Sequence, residues 1–332
     1  MNATYTAVAC DRFGPPGEVL ATRRLPRRVL GAGEARLWVR ATGLNFLDAT
    51  LCRGAYPVKP AFPATPGVET AGTVIETGAE AESWLGREVV ACPTLPDGAL
   101  GEEVVVPAAL LVDRPASIPP EVAAALPVTY QTAWWALERA RVGPGDRVLV
   151  HGAAGGVGSA TIQLARLRGA SVIATAGTAA KVAHCLEQGA EAAFDSGDAG
   201  LAHAILDAGG PVDIVVDPVA GRLFDVSLQV IAFEGRYVAV GQAGGSVTVD
   251  PVRLTQANAD LVGLSWGSTY PFAKPDAVRA VYGELFADVA AGRLAPVVSR
   301  VVTLDEAPAA LDDLESGRTH GKIVVRMEET ES

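Results

Sequence analysis

The sequence predicts an α/β fold in which a doubly wound parallel sheet is joined to a second, β-rich domain. Between Pro120 and Trp266, apolar strands alternate with segments of helical spacing, which is the pattern of consecutive βαβ units. Residues 1–122 are instead rich in glycine and proline and carry short β-rich runs. A length of 332 residues is enough for two cores, because a single domain typically has about 100–150 residues. We therefore expect two domains with a cleft between them.

The first domain begins with short strands and is completed by the end of the chain. Its early β runs are Ala35–Ala41, Thr70–Glu76, Glu88–Ala91 and Glu103–Val106. After Trp266 the pattern changes to a long helix and two further β runs, at Asp276–Ala291, Val297–Leu304 and Lys322–Met327. We expect this last segment to rejoin the first domain. The predicted boundaries are therefore residues 1–122 and 268–332 for the β-rich domain, and residues 123–267 for the domain between them.

The central domain opens with a segment of helical spacing, Glu121–Arg141, and continues with six apolar strands. Six parallel strands form a complete doubly wound sheet. The predicted strands are Arg147–His151, Ser171–Thr175, Ala192–Asp195, Val212–Asp217, Arg236–Val240 and Leu261–Ser265.

Composition excludes several classes of protein. Hydrophobic residues make up 49% of the chain and charged residues 20%, so the protein is folded around a large core. A net charge of −11 without a run of lysine or arginine disfavours nucleic acid and anionic membranes as partners. No apolar run reaches about 18 residues and the amino terminus lacks a secretory signal, so we expect a cytoplasmic protein. The cysteines, which we expect to be reduced structural thiols, are Cys10, Cys52, Cys92 and Cys185.

The strongest local signal is a glycine-rich turn, GAAGGVG, at residues 152–158. It follows the first predicted strand of the parallel sheet and precedes a predicted helix over Ser159–Arg168. An isolated glycine triplet can be a tight turn without a ligand. Here a second strand follows within about 30 residues, which is the context of a dinucleotide site. Glycine lets the main chain approach a pyrophosphate, and the helix start offers free N–H groups to the anion. The expected contacts are Gly155, Gly156, Val157 and Gly158.

The residues that follow the second strand indicate which nucleotide is preferred. Sites that prefer NAD place an acidic residue about 20 positions after the loop, against the ribose 2′-hydroxyl. The stretch Ala174–Lys181 has none, so nothing there repels a 2′-phosphate. Gly177 lies in the turn, Thr178 can donate a hydrogen bond and Lys181 can supply a positive charge. NADPH is therefore the predicted cofactor; the alternative reading of Lys181 is an exposed helix lysine.

Three segments together resemble the zinc-free quinone oxidoreductase branch of the medium-chain dehydrogenase/reductase (MDR) superfamily. They are Gly43–Asp48 (GLNFLD), Pro63–Gly72 (PATPGVETAG) and His151–Gly158 (HGAAGGVG), supported by Val128–Ala133 (VTYQTA) and Gly321–Val325 (GKIVV). The resemblance covers nearly the whole chain. It implies a GroES-like catalytic domain built from both chain ends, a Rossmann domain between them, and often a homodimer formed through the edge of the Rossmann sheet.

The resemblance also bears on metal content. Zinc-dependent relatives carry a cysteine ligand near the position of Asn45 and a histidine in a Gly-His-Glu motif, where this chain has Gly67, Val68 and Glu69. With neither a thiolate nor an imidazole at these places, we expect no metal site. Without a Lewis acid to stabilise an alkoxide, the expected hydride acceptor is a quinone or an α,β-unsaturated carbonyl (enone), which delocalises charge onto a conjugated oxygen.

By resemblance, Asn45, Asp48 and Thr129 lie near the nicotinamide and the substrate and act by positioning and hydrogen bonding. Some relatives carry a tyrosine two positions after Asp48, where this chain has Thr50, so Tyr56 is the nearest candidate proton donor. Other readings remain open. Asn45 could cap a turn, Asp48 could satisfy main-chain donors at a helix start, Tyr56 could be a packing aromatic, and water could deliver the proton.

Further cofactor contacts are expected where the later strands end, because ligands of doubly wound sheets gather at the carboxyl ends of the strands. These are Gly241 and Gln242 after the fifth strand and Trp266 and Gly267 after the sixth. Lys322 in the closing strand is a further candidate.

The sequence thus predicts an NADPH-dependent reductase of a small quinone or enone. One alternative is an enoyl-thioester reductase of polyketide or fatty-acid assembly, although the basic entry patch that a phosphopantetheine arm would need is not visible. Another is a protein that binds NADPH without catalysis, since one fold can host unrelated functions.

Overall fold

The computed structural model describes residues 4–56, 59–94 and 97–328. Its amino-terminal part contains β1 (Thr4–Ala9), α1 (Pro16–Val19), β2 (Ala21–Pro26), β3 (Glu34–Gly43), α2 (Phe46–Cys52), β4 (Thr70–Thr77), β5 (Glu88–Ala91), β6 (Glu103–Pro107), β7 (Val112–Asp113) and α3 (Pro120–Ala123). The central part contains α4 (Thr129–Arg139), β8 (Arg147–Val150), α5 (Gly156–Leu167), β9 (Ser171–Ala176), α6 (Ala179–Glu187), β10 (Ala192–Asp195), α7 (Leu201–Asp207), β11 (Val212–Asp217), α8 (Arg222–Val230), β12 (Ile231–Ala239), α9 (Pro251–Ala257) and β13 (Asp260–Gly263). The carboxy-terminal part contains α10 (Tyr270–Ala273), α11 (Pro275–Ala290), β14 (Val298–Val302), α12 (Ala307–Glu315) and β15 (Lys322–Arg326).

The chain divides into two compact units, each with its own core. The first, here the outer unit, comprises the described parts of Met1–Val128, Pro271–Ala291 and Pro296–Ser332. The second, here the central unit, comprises Thr129–Tyr270 and Gly292–Ala295. The predicted fold class, an α/β protein with a doubly wound parallel sheet and a β-rich second domain, is confirmed.

The central unit is built on a six-stranded sheet in the order β10-β9-β8-β11-β12-β13. All its strand pairs are parallel. Helices cover both faces of such a sheet, so its strands are apolar on both sides. Leu149, Ile173 and Val215 lie in the resulting core. Strand order reverses between β8 and β11, and doubly wound sheets bind ligands at such a point.

The outer unit is built on a seven-stranded sheet in the order β14-β15-β3-β4-β5-β7, with β6 also paired to β3. The long strand β3 therefore pairs with three strands, β4, β6 and β15. Strand β15 comes from the end of the chain, so the last segment completes a sheet that the first segment begins. A separate antiparallel hairpin joins β1 to β2, and neither strand is among those predicted from the sequence.

One predicted helix is divided in two in the structure. The segment Glu121–Arg141, predicted as one helix, forms two helices, α3 and α4, separated by a turn. The physical reason is Pro127, which lacks an amide hydrogen and disfavours the helical conformation of Leu126 before it. The longest described helix is α11, with 16 residues. Within the described ranges, no helix has both the length and the apolar character needed to cross a bilayer.

Candidate active site

The glycine-rich turn of the central unit runs directly from β8 into α5. This helix begins at Gly156, three residues before the predicted start, so Gly156, Val157 and Gly158 form its first turn. The N–H groups of these three residues have no hydrogen-bond partner among the described residues. Such groups, with the positive end of the helix dipole behind them, are suited to bind an anion.

Close packing explains one glycine of this turn, and the backbone conformation explains another. A Cβ atom on Gly158 would lie 2.5 Å from Ala153 Cα, so any larger residue would push the helix away from the loop. Gly152 has a φ of +56°, in the left-handed region that favours glycine. A Cβ atom on Gly155 would meet Gly152 O at 3.3 Å, a milder contact.

His151 directly precedes this turn and has a structural role. It is fully buried, and its two ring nitrogens are hydrogen-bonded to Thr175 Oγ1 at 2.8 Å and to Ser227 Oγ at 2.9 Å. Burial lowers the pKa of His151 to about 4, so the ring is neutral at pH 7. These bonds join β8 to β9 and α8.

Residues expected to read the ribose gather at the carboxyl end of β9. Thr178 is the N-cap of α6, and its Oγ1 accepts a hydrogen bond from Lys181 N at 3.3 Å. The hydroxyl hydrogen of Thr178 remains able to donate. Lys181 is half-buried, and this burial lowers the pKa of its ammonium group. Ser196 Oγ lies 3.8 Å from the position that a Cβ atom on Gly177 would take, so small groups surround this turn.

The other expected cofactor contacts of the central unit follow β12 and β13. A Cβ atom on Gly241 would lie 2.8 Å from Pro218 O, so the main chains approach closely there. Gln242 is exposed. Trp266 is buried, and its indole Nε1 has no hydrogen-bond partner in the described ranges. Gly267 has open space around it. Both turns thus follow the carboxyl ends of strands, and one of them holds a buried N–H donor, Trp266 Nε1, that has no partner within the described ranges.

A buried polar cluster forms in the outer unit around Lys322. Its Nζ donates to Leu44 O at 2.7 Å, to Asn45 Oδ1 at 2.9 Å and to Glu69 Oε1 at 2.5 Å. Lys322, Asn45 and Glu69 are all buried. A lysine ammonium has three hydrogens, and this geometry uses all of them. These three bonds hold Lys322 within the outer unit, and its contact with the cofactor stays a prediction.

The orientation of the Asn45 amide is fixed by its neighbours. Its Nδ2 donates to Glu69 Oε1 at 2.8 Å and to Gly43 O at 3.3 Å, while its Oδ1 faces the Lys322 ammonium. A flipped amide would place its NH₂ group against that ammonium. The second oxygen of Glu69 accepts from Val128 N at 2.7 Å. Glu69 thus holds Asn45, Lys322 and the main chain at once.

Asp48 stabilises the main chain in the first turn of α2. Its Oδ2 accepts from Asn45 N at 2.8 Å and its Oδ1 accepts from Gly67 N at 2.8 Å. Asp48 is fully buried, and this burial raises its pKa to about 6 in spite of the two hydrogen bonds. The geometry favours the reading in which Asp48 satisfies main-chain donors, and it ties the loop before β4 to the start of α2.

The remaining predicted residues lie apart in the chain. Tyr56 is half-buried and directly precedes Pro57 and Val58, which are outside the described residues. Thr129 is buried at the start of α4 and belongs to the central unit. Among the described residues, no group of three or more His, Cys, Asp or Glu side chains is arranged to hold a metal ion.

Glu69 was not among the predicted site residues. Its signal in the sequence is weak: one acidic residue in a turn rich in proline and glycine, directly before the apolar strand β4. An acidic side chain at the start of a buried strand needs a cationic partner or several donors. The partner, Lys322, is 253 residues away and could not be assigned from local spacing.

Comparisons with known proteins agree with this architecture. The family model described as alcohol dehydrogenase GroES-like domain matches residues 31–116, and the model described as zinc-binding dehydrogenase matches residues 156–281. Quinone oxidoreductase-like protein 2 of Bos taurus is 33% identical over 329 residues, covering 97% of this chain and 93% of that protein. A segment of erythronolide synthase EryA2 of Saccharopolyspora erythraea is 35% identical over 307 residues, covering 89% of this chain and 8% of that protein.

A solved structure extends the similarity to three dimensions. The Escherichia coli quinone oxidoreductase complexed with NADPH has a TM-score of 0.90 and 28% sequence identity, covering 97% of this chain and 99% of that chain. The resemblance drawn from three sequence segments is confirmed by these matches. The chain is an oxidoreductase and belongs to the quinone oxidoreductase branch of the medium-chain dehydrogenase/reductase superfamily.

Proposed function

We propose that this protein is an NADPH-dependent oxidoreductase that transfers a hydride to a quinone or an α,β-unsaturated carbonyl without zinc. The observation that carries the proposal is the turn at residues 152–158, whose first helical N–H groups lack partners among the described residues. Three converging donors at a helix start, with a glycine surface beside them, fit a pyrophosphate.

The preference for NADPH rests on the carboxyl end of β9. An acidic side chain is absent from residues 174–181, and Thr178 and Lys181 offer a hydroxyl donor and a cation for a 2′-phosphate. The similar Escherichia coli enzyme was solved in complex with NADPH. When bound, NADPH supplies the hydride, so the protein itself needs no nucleophile.

On the substrate side, we propose that Asn45 acts by positioning. Its amide is held by Glu69 and Lys322 in one orientation, and groups locked by packing and hydrogen bonds keep reacting partners aligned. Hydride addition to a conjugated acceptor leaves negative charge on its oxygen, which then needs a proton. Tyr56 is the candidate proton donor of this chain, and Thr129 is a candidate hydroxyl contact.

The proposal of zinc independence rests on the donor set. Zinc-dependent relatives carry a cysteine ligand near the position of Asn45 and a histidine ligand at that of Val68. In this chain the Asn45 amide is hydrogen-bonded to Glu69 and Lys322, and the Val68 side chain has no atom that can bind a metal. We expect purified protein to contain no stoichiometric zinc and to keep its activity in a chelator. One zinc per chain by elemental analysis, removed together with activity, would contradict this.

The decisive experiment follows the absorbance of reduced nicotinamide with a panel of quinones and enones. We expect turnover with NADPH and a lower kcat/KM with NADH. Tight NADPH binding by calorimetry with no oxidation by any acceptor would instead identify a binding protein. The variant Tyr56→Phe tests the proton donor: a lower kcat for an enone with unchanged NADPH affinity supports it, whereas an unchanged kcat assigns the proton to water.

The similarity to erythronolide synthase EryA2 keeps a second candidate, an enoyl-thioester reductase. An unsaturated acyl thioester of N-acetylcysteamine should be included in the panel. A kcat/KM for this thioester well above that for every quinone and simple enone would favour the second candidate.

Homodimer formation and cytoplasmic location stay predictions. The strand β13 lies at the edge of the central sheet, and its Leu261 is 42% exposed, which makes it a suitable pairing edge for a second copy. Light scattering should give twice the chain mass, and Leu261→Lys should shift the protein toward the monomer.

A further inference from the structure

A fully buried carboxylate, that of Asp217, ends strand β11 at the point where the strand order of the central sheet reverses. Its Oδ1 accepts from Val219 N at 2.7 Å and from Ala220 N at 2.8 Å. Its Oδ2 accepts from the hydroxyl of Tyr237 at 2.6 Å, and Tyr237 lies on the neighbouring strand β12. The carboxylate therefore joins the turn after β11 to β12.

Tyr237 is a fixed donor to this carboxylate. Its side chain is buried, and this burial, together with the negative charge of Asp217, raises the pKa of the Tyr237 hydroxyl well above the ordinary 10. The phenol therefore keeps its proton at neutral pH. Its ring packs edge to face against Phe224 of α8, with ring centroids 5.1 Å apart. Packing thus sets the position of the hydroxyl.

The turn after β11, residues 218–221, has a main-chain conformation that needs support. Ala220 has a φ of +59° and Gly221 a φ of +56°, both in the left-handed region. Alanine rarely adopts this region, because its Cβ atom crowds the main chain there. The hydrogen bond from Ala220 N to Asp217 is made by the residue that has this unfavourable conformation. The Asp217 side chain therefore stabilises the turn.

The turn at residues 218–221 also touches the two turns that we expect to bind the nucleotide. A Cβ atom on Gly152, which opens the glycine-rich turn, would lie 2.9 Å from Val219 Cγ2. A Cβ atom on Gly244, in the turn after β12, would lie 2.8 Å from Val219 Cγ1, and Gly244 N donates to Val219 O at 2.7 Å. Gly241 N donates to Asp217 O at 3.3 Å. Val219 is thus the contact that links Asp217 to both turns.

We propose that Asp217 and Tyr237 are positioning residues of the nucleotide site. They hold residues 218–221 in place and, through Val219, keep the glycine-rich turn and the turn after β12 in the arrangement that receives the nucleotide. The inference rests on the proposed function, since it requires a nucleotide at this edge of the sheet. Both side chains are buried and act through the main chain. Turns that are ordered before binding lose little conformational freedom when the ligand arrives, so loosening them weakens affinity.

The test is the variant Tyr237→Phe, which removes the hydroxyl and keeps the ring. We expect the Kd of both NADPH and NADH to rise about tenfold, the value of one hydrogen bond to a charged group. Calorimetric titration measures both constants. The KM for NADPH should rise in the same way, with kcat at saturating NADPH unchanged. In the nucleotide-free protein, the amides of Val219 and Ala220 should exchange with solvent faster than in the wild type.

A matched control and a second variant separate positioning from general stability. Tyr130 is also buried in the central unit, and its hydroxyl donates to Gln163 Oε1 at 3.1 Å between α4 and α5. Tyr130→Phe therefore removes a buried hydrogen bond that involves neither turn, and it should leave both Kd values unchanged. Val219→Ala shortens the side chain that contacts both turns and keeps the hydrogen bonds of Asp217, so it should weaken both nucleotides. It decides the result if Tyr237→Phe fails to fold.

The outcomes distinguish this inference from the proposed function. If the wild type binds NADPH and Val219→Ala and Tyr237→Phe bind it equally well, the inference is wrong and the proposed function stands. An equal loss of affinity in Tyr130→Phe would also overturn the inference, because lower stability of the central unit would then explain the effect. If the wild type binds neither nucleotide, the proposed function is wrong and the inference fails with it.

Discussion

Lys322 carries a buried positive charge whose three donors are all satisfied, and one of its acceptors is the buried carboxylate of Glu69. A buried ion pair adds little net stability compared with an apolar pair, but removal of one partner is costly because the other charge stays in a medium of low polarity. The pair is therefore a fixed support for Asn45 rather than a general source of stability.

We predict that Glu69→Gln lowers the free energy of unfolding by about 3–5 kcal/mol, because Lys322 loses its counter-charge. Urea denaturation measures this loss. The matched control is Glu80→Gln on the surface, which should change stability by less than about 0.5 kcal/mol. The double variant Glu69→Leu, Lys322→Met should be more stable than either single variant. Additive losses in that cycle would contradict the coupling.

Lys181 gives the clearest prediction about the cofactor. Lys181→Ala should raise the Kd of NADPH roughly ten- to a hundredfold, the value of one charge-assisted hydrogen bond, and leave the Kd of NADH nearly unchanged. Calorimetric titration with both nucleotides measures it. Lys274→Ala, at an exposed lysine, is the control and should change neither affinity. Equal losses for NADPH and NADH would remove Lys181 from the 2′-phosphate site.

The sequence predicted residues whose role depends on their near neighbours in the chain. It did not predict contacts between residues that are far apart in the chain. The loop glycines and Thr178 follow from their place after a strand, and the structure puts them at helix starts. The partnership of Glu69 with Lys322, which lies 253 residues away, left no trace in local spacing. Burial on folding decides which donors of a side chain remain free.

At the scale of elements, the first turn of α5 depends on a close approach between helix and loop. Gly158 permits that approach, whereas a Cβ atom added to Gly283, in the middle of α11, would meet no atom of another segment within 4 Å among the described residues. The two helical glycines therefore differ in what an added methyl group would meet. One lies where packing needs glycine, and the other lies where glycine only weakens a helix.

Alanine substitution at Gly158 and at Gly283 should change the free energy of unfolding in opposite directions. Gly158→Ala should lower the free energy of unfolding by about 1–3 kcal/mol through overpacking and weaken binding of both NADPH and NADH. Gly283→Ala should raise it by roughly 1 kcal/mol, the helix propensity difference, with no effect on nucleotide affinity. Urea denaturation and calorimetry give both quantities. Destabilisation by Gly283→Ala would contradict the open environment of that position.

Periodicity predicted the elements of the central unit well because strands buried on both faces and amphipathic helices leave distinct patterns. It failed where short-range sterics override the pattern, as at Pro127, which interrupts the predicted helix. It also missed the hairpin of β1 and β2. The burial of β2 is only partial, so its residues, ATRRLP, lack a continuous apolar run.

At the scale of the whole molecule, Asp48 links global stability to pH. Its pKa in the folded protein is about 6, above the ordinary 3.8, so the folded state binds its proton more tightly than the unfolded state. The resulting stability is fully present below pH 3.8 and is lost as pH rises through 6. The groups that act on this carboxyl are the Lys322 ammonium, which lowers its pKa, and the Glu69 carboxylate, which raises it.

We predict that wild-type stability falls between pH 4 and 7 by about 3 kcal/mol relative to Asp48→Asn, which cannot titrate. Unfolding free energies from urea titrations at a series of pH values measure the difference. The exposed Asp207→Asn should follow the wild-type slope. Parallel curves for wild type and Asp48→Asn would show that the carboxyl has an ordinary pKa.

The pairing of β3 with β15 has a consequence for biosynthesis. A ribosome completes β3, β4 and Glu69 long before it reaches Lys322, the first residue of β15. Throughout that interval the nascent outer sheet lacks a strand, and the carboxylate of Glu69 has no cation beside it. The central unit, whose residues are nearly consecutive, can fold during translation, whereas the outer unit acquires its buried charge pair only after β15 has been synthesised.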